Sequence, residues 1–458
     1  MAIKEPENLW EVSEQLKYNE PLWDPHDPRY VDTSPGRALG YERLFKSLGM
    51  DSQTDTLKVR HARQYHLFCG HRGSGKSTEL RRLKERLNKE NLFRVIFLDV
   101  LEDLDVNSLQ YPDVCLALAR RLLNELKEAD GIVIDPVFLS PLENWFKERV
   151  LTQSKFKELK AGIEAGSETE AGIPFLTKLF ANITGSFQVG SDVKDEIRTV
   201  FKSAYSEFAT AFNSLLMHVE ERMKTAWKAS RLLFIIDGTD RLDQDDSAAF
   251  FVEDVHQLQQ IKGLFIYCAP IHLIYTANSV QQVFDHICKI PALKLHEKTN
   301  PALNPKPAFI EDTLTVLRQV VLKRAPAKLF SPDPKLTGDW EVVDYLICHS
   351  GGHLRDLLRL LDYAFEHSLS DKYDMEAAKK AVKSLASDYR RFLQPDEFQR
   401  LAEIDTRGPE FAPNDEQTRR LLFNLALLEY NDFWWQSHPV VRTLPVYQEA
   451  LKKLSNPS

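Results

Sequence analysis

Apolar residues fall in short closed runs near the start of the chain and at helical spacing over most of the rest. Tyr65-His-Leu-Phe-Cys-Gly70 reads as a buried strand ended by glycine, and Asn91–Val100 as a second. Between them Leu80, Leu83 and Leu87 share one face of a helix over Ser77–Leu87, with lysines and arginines opposite. Strand, loop, helix, strand opens a parallel α/β sheet. The sheet is expected to resume only at Arg231–Asp237, followed by Gly263–Tyr267, His272–Asn278 and Ala292–His296. The interval reads as helices over Val114–Leu126, Pro141–Leu151 and Val193–Met223, with a looser stretch at Gly162–Asp192 around the apolar block Ile173–Phe180. That stretch reads as part of an ordered helical insertion with a mobile loop, or as a loop that touches a partner or a membrane surface. From Pro307 onward the pattern is helical: Thr313–Arg324, Trp340–Cys348, Leu354–Ser368 and Met375–Phe392.

Turn signals and composition divide the chain further. Pro21, Pro25, Pro28 and Pro35, with Asp24, Asp27 and Asp32 between them, make residues 1–60 a polar segment expected to pack on the α/β core. That core spans 61–300 with an insertion over 103–230, followed by a helical lid over 301–395 and a C-terminal domain over 396–458. The 458 residues allow two to four domains of about 100–200 residues each. A net charge of −8 argues against an obligate nucleic-acid coat protein, although a local basic patch is compatible with it. Cys69, Cys115, Cys268, Cys288 and Cys348 lie scattered in apolar runs and read as core residues, not as a zinc site or disulfide framework. The N-terminus lacks a secretory pattern, and no run approaches the roughly 18 apolar residues of a spanning helix, so a cytoplasmic protein is expected.

The chemistry concentrates on Gly70, His71, Arg72, Gly73, Ser74, Gly75, Lys76, Ser77 and Thr78, a complete P-loop set between the strand and helix that the motif requires. Its glycines permit a turn whose backbone N–H groups, with the following helix N-terminus, cradle the phosphates of ATP. Lys76 would neutralise the β- and γ-phosphates, and the Ser77 hydroxyl would ligate Mg²⁺. Asp237, at the end of a buried strand, supplies the acidic partner for magnesium. Many ATPases place glutamate directly after it, but this chain has Gly238. Asp240 then either orients water, serves as a second magnesium ligand, or caps the following helix. Thr276 and Asn278 end a candidate strand where polar groups reach a γ-phosphate or the lytic water, though such residues are common at strand ends. Arg355 follows the diglycine Gly351-Gly352 in the first turn of a helix, facing phosphate or solvent.

This order of motifs, with Asp237-Gly-Thr-Asp240 and Gly351-Gly-His-Leu-Arg-Asp-Leu357, resembles the STAND and AAA+ P-loop ATPases. Bacterial STAND-type and origin-recognition-like proteins look most similar, with an aspartate strand similar to that of NACHT and KAP proteins. The resemblance implies an α/β fold: a five-stranded parallel sheet with the P-loop strand central, a helical insertion, a lid bearing the sensor arginine (Arg355) and a C-terminal winged-helix domain. Glu416–Leu428 fits a helix of that domain, and the break at Asn431-Asp432 fits its wing hairpin. In NB-ARC-type members a histidine here touches the nucleotide; His438 is either that residue or a packed histidine.

Two functions remain open. One is a slowly hydrolysing ATP switch that forms homo-oligomers or activates a separate effector protein, as in signalling and anti-phage defence. The other is a DNA-associated ATPase whose winged helix uses residues such as Arg390, Arg391, Arg400, Arg419, Arg420, Lys452 and Lys453. Acidic residues are mixed among these, which favours the switch.

Overall fold

The computed structural model describes residues 4–128, 132–153, 156–164, 172–188, 192–276, 278–298, 308–330, 341–408, 410–431 and 433–455. Its main sheet has five strands: β1 (Gln64–Gly70), β2 (Phe93–Asp99), β3 (Arg231–Asp237), β4 (Leu264–Pro270) and β5 (His286–Ile290). The spatial order is β2-β3-β4-β1-β5. β2 runs parallel to β3 with Asp99 level with Asp237, and β3 runs parallel to β4. Every residue of β1, β3 and β4 is buried, which accounts for their apolar runs without alternation. The P-loop strand is fourth of five and not central, and β4 lies between it and the strand that carries Asp237.

Two expected strands are absent. Pro270 ends β4, and Ile271–Tyr275 turns as a 3₁₀ helix whose apolar side chains are buried. A buried turn and a buried strand have the same apolar signature over five residues, so His272–Asn278 misled. The final strand is His286–Ile290, upstream of the expected Ala292–His296. The N–H groups of Ala292, Leu293 and Lys294 donate instead to Glu429 O, Gly352 O and Gly36 O, at 2.9, 3.1 and 3.0 Å.

The chain forms two compact units. One comprises Tyr41–Phe68 and Arg82–Cys288, the other Met1–Gly40, Cys69–Arg81 and Lys289–Ser458. The first contains most of the sheet and the helical insertion. Here the expected helix over Val193–Met223 is two, Asp192–Ser203 and Tyr205–Ala226, with the break at Ala204. The Trp145 indole donates to the Ala204 carbonyl at 3.2 Å and fixes that break. Ile173–Gln188 is a helix, in keeping with an ordered helical insertion, and Leu176, Leu179, Phe180 and Ile183 are fully buried. This burial overturns the reading of that block as a contact loop, while residues 165–171 and 189–191 lie outside the described set.

The second unit joins the P-loop to the C-terminal half. Its lid helices are Glu311–Leu322, Glu341–Ser350, Leu354–His367 and Met375–Phe392. The terminal module has helices Pro395–Arg407, Glu416–Phe423 and Pro445–Ser455 around a hairpin of β6 (Leu427–Tyr430) and β7 (Trp434–Ser437). The helix expected to reach Leu428 stops at Phe423, because Leu425 adopts a left-handed φ of +63° and the chain turns into β6. Glu429 pairs with Trp435 and Tyr430 with Trp434. Trp434 packs with Ala292, Leu428 and Tyr430, so the tandem tryptophans are core residues.

Candidate functional site

The P-loop has the backbone that phosphate binding requires. Gly73 and Gly75 hold φ of +92° and +94°, which a side chain would strain, and the Ser74 N–H donates to His71 O at 3.1 Å to close the turn. The helix Lys76–Leu87 begins there. Lys76 is 3% exposed, and its ammonium donates to Gly70 O at 3.0 Å and His71 O at 2.8 Å. The Ser74 hydroxyl is buried and makes no hydrogen bond among the described residues, leaving a polar atom in the loop that a phosphate oxygen would satisfy. These residues fit a nucleotide phosphate.

Each residue from His71 to Ser74 is also held by another part of the same unit. His71 Nε2 accepts the Glu429 N–H of β6 at 2.8 Å. Arg72 O lies 3.0 Å from His353 Nε2, and Gly73 O accepts the Arg355 N–H at 3.2 Å. Ser74 O accepts from Arg37 Nη1 at 2.8 Å, and the same nitrogen donates to Pro291 O at 3.1 Å. A Cβ at Gly73 would come within 2.6 Å of the Arg355 Cβ, so glycine also lets the lid helix close on the loop. The Thr78 hydroxyl accepts the Leu22 N–H at 3.1 Å, and Arg81 stacks on Trp23 with its guanidinium 3.9 Å from the ring centre. The N-terminal segment thus braces the first turn after the loop.

Behind Arg355 lies a buried polar cluster that sequence reasoning missed. Asp356 is fully buried; its Oδ2 accepts from the Tyr389 hydroxyl at 2.7 Å and lies 3.3 Å from His353 Nδ1 and 3.2 Å from His438 Nε2. Arg359 Nη1 reaches its Oδ1 at 3.2 Å. Burial alone would raise the Asp356 carboxyl, but His353 and His438 outweigh it and hold it well below the ordinary carboxylate range. Burial lowers His438 in turn, against the pull of Asp356. His438 caps its own short helix, accepting the Val440 N–H at 3.3 Å, and stacks on Tyr389 with ring centres 5.0 Å apart. It is a packed histidine. Burial also keeps His71 neutral, well below the usual histidine range, as its acceptor role toward Glu429 demands. The sequence signal for this cluster was the histidine two residues before Arg355, overshadowed by the arginine itself.

The acidic residues belong to the other unit. Asp237 ends β3, and its Oδ1 accepts the Gly238 N–H at 2.9 Å. Asp237, Asp240 and Cys268 bring ligand atoms within 4.8 Å of one another, all buried. The two carboxylates suit a hard divalent ion; the thiol does not. The cap of the following helix is Asp243, which accepts the Asp246 N–H at 2.8 Å, and not Asp240. Gly238 has φ +89°, a left-handed position disfavoured for glutamate. Thr276 follows the 3₁₀ turn, with its hydroxyl donating to His272 O at 3.2 Å, and so ends no strand. Asn278 opens a short helix over Asn278–Val283 and also ends no strand; its side chain lies outside the described residues.

No family model and no curated protein matches the chain. Among solved structures it is similar to Cdc6p from Pyrobaculum aerophilum, with 11% identity and a TM-score of 0.36 over 96% of this chain and 98% of that one. It is also similar to the RuvB Holliday junction branch migration motor of Thermotoga maritima, with 11% identity and a TM-score of 0.34 over 93% and 99% of the two chains. The glycine turn that follows β1 and the five-stranded sheet give the chain the fold of a P-loop NTPase. It carries a helical insertion, a helical lid and a C-terminal helical module with a two-stranded hairpin. No helix among the described residues is long and apolar enough to cross a membrane.

Proposed function

We propose that this chain is an ATP-binding, slowly hydrolysing switch in which occupancy of the P-loop sets the posture of the C-terminal half. The observation that carries the reading is the grip on four consecutive loop residues, His71 to Ser74, by the wing strand, the lid and Arg37. A loop that reshapes around phosphates changes the hydrogen bonds of exactly those neighbours, so nucleotide binding and C-terminal posture become one coupled equilibrium.

In this reading Lys76, the loop N–H groups and Ser77 bind the triphosphate, with Arg355 as the lid cation. Ser77 and Asp237 would hold Mg²⁺, which supplies charge neutralisation at the phosphates. Asp240 is the remaining carboxylate for orienting water. Gly238 stands where a water-polarising glutamate would act, which argues for slow turnover. The output would be self-assembly or engagement of a separate effector protein.

Size-exclusion elution and limited proteolysis with Mg²⁺-ATP, with Mg²⁺-ADP and with neither test the reading. Different elution or cleavage patterns are expected for the two nucleotides in the wild-type chain, and identical ones in Lys76→Ala. Removal of the ammonium, at about 1.5–3 kcal/mol for charged hydrogen bonds, should weaken ATP binding roughly 10- to 100-fold. Tight binding of both nucleotides with one unchanged pattern would rule out the switch.

A further inference from the structure

The start of the lid helix Leu354–His367 touches both the P-loop and the terminal module. Toward the loop, His353 Nε2 lies 3.0 Å from Arg72 O, and the Arg355 N–H donates to Gly73 O at 3.2 Å. The next residue, Asp356, has no exposed surface. Groups from three elements converge on its carboxylate: the Tyr389 hydroxyl of the following lid helix at 2.7 Å, His438 Nε2 of the terminal module at 3.2 Å, and Arg359 Nη1 of its own helix at 3.2 Å. His438 Nδ1 accepts the Val440 N–H at 3.3 Å, so the ring proton sits on Nε2 and faces the carboxylate.

A buried carboxylate is costly unless its oxygens are met, and taking away one partner leaves a charge that the others must carry. The cluster therefore favours its complete arrangement over any partial one. A shift of the helix start relative to the next lid helix or to the terminal module would part Asp356 from Tyr389 or from His438. Such two-state behaviour is what turns a small displacement into a change of posture. We propose that Asp356 is a positioning residue that latches the terminal module to the lid, so that a pull on Arg72 and Gly73 by bound phosphates passes through His353 and Arg355 to His438. The inference rests on the switch reading above and names its link: the P-loop binds, and Asp356 connects binding to posture. A separate tie, from the Tyr430 hydroxyl to Gly351 O at 2.7 Å, keeps the terminal module docked when the latch is cut.

Hydrogen exchange of the full chain, followed by mass spectrometry, tests the latch. It is measured with Mg²⁺-ADP, with a Mg²⁺-bound non-hydrolysable ATP analogue and with neither, alongside calorimetric affinities for both nucleotides. In the wild-type chain the two nucleotides are expected to protect residues 427–442 differently. In Asp356→Asn and in Tyr389→Phe that difference should fall by at least half, while both nucleotides still bind and still protect residues 70–78. Tyr389→Phe keeps the ring and removes only the hydroxyl, so it carries the test if Asp356→Asn does not fold. His438→Gln, which keeps a donor for Asp356, should preserve the difference, and His438→Leu should abolish it. A merely structural role would lower stability and leave the nucleotide-dependent difference as it is. A wild-type difference that survives in Tyr389→Phe and His438→Leu overturns the latch and spares the switch. No difference in the wild-type chain, despite tight binding of both nucleotides, removes the switch and the latch with it.

Discussion

At the scale of single residues, position 238 and the buried histidines make the clearest commitments. Gly238 occupies a left-handed backbone position, with the Leu101 Cγ 3.3 Å from where a Cβ would sit. Gly238→Glu should therefore cost about 1–3 kcal/mol of stability and leave ATP turnover no faster, checked by thermal melting and phosphate release. Faster turnover would mean that a glutamate at this position can polarise the lytic water despite the left-handed backbone. His66 lies fully buried in β1, its Nε2 2.9 Å from the Ser47 hydroxyl and its Nδ1 3.2 Å from Phe265 O. Burial lowers it from 6.5 to about 4. Below pH 6.5 the unfolded chain binds this proton and the folded chain does not, so stability falls with pH through that window. The loss from this group is of order 3 kcal/mol between pH 7 and pH 4. Urea midpoints measured across that range should decline, and the decline should be shallower in His66→Asn.

Among elements, the turn into the lid helix is the joint on which the site depends. Gly351 and Gly352 hold φ of +62° and +75°. A Cβ at Gly352 would sit 2.0 Å from Leu293 O, and one at Gly351 would sit 2.7 Å from both Leu428 and Pro439. Gly352→Ala should cost at least about 2–3 kcal/mol and loosen the approach of Arg355 to Gly73. A drop in urea midpoint together with altered nucleotide affinity is the expected pair of results; an unchanged affinity would show that the loop does not depend on this turn. Much of this element was legible beforehand, since Leu354–His367 and Met375–Phe392 have strong helical periodicity. What the periodicity could not carry was the local contest after Pro270. There Ile271–Tyr275, apolar but for His272, coils instead of extending, and the two polar residues assigned to a strand end lost that setting.

For the molecule as a whole, the charge pattern bears on the choice of partner. Arg400 pairs with Asp415 at 2.8 Å, Arg420 lies 3.4 Å from Glu397, and Arg419 reaches Asn414 at 3.3 Å. Arginines engaged by neighbouring carboxylates offer little net field to a phosphate backbone. Duplex DNA binding in fluorescence anisotropy at physiological salt is accordingly expected to be weak, and Arg419→Glu with Arg420→Glu should change it little. Tight, salt-sensitive binding abolished by that pair would favour the DNA-associated reading over the switch.

The P-loop, the Asp237 strand and the long lid helices were determined by the sequence alone, because each rests on local chemistry: a glycine turn, an apolar run, a 3.6-residue period. The order of strands, with β4 between the P-loop strand and the Asp237 strand, was not. Nor were the Asp356 cluster and the hold of Glu429, His353 and Arg37 on the loop. These join residues tens to hundreds of positions apart. Their partners are selected by burial and by the need to satisfy every enclosed polar group, and such selection exists only once the chain has folded.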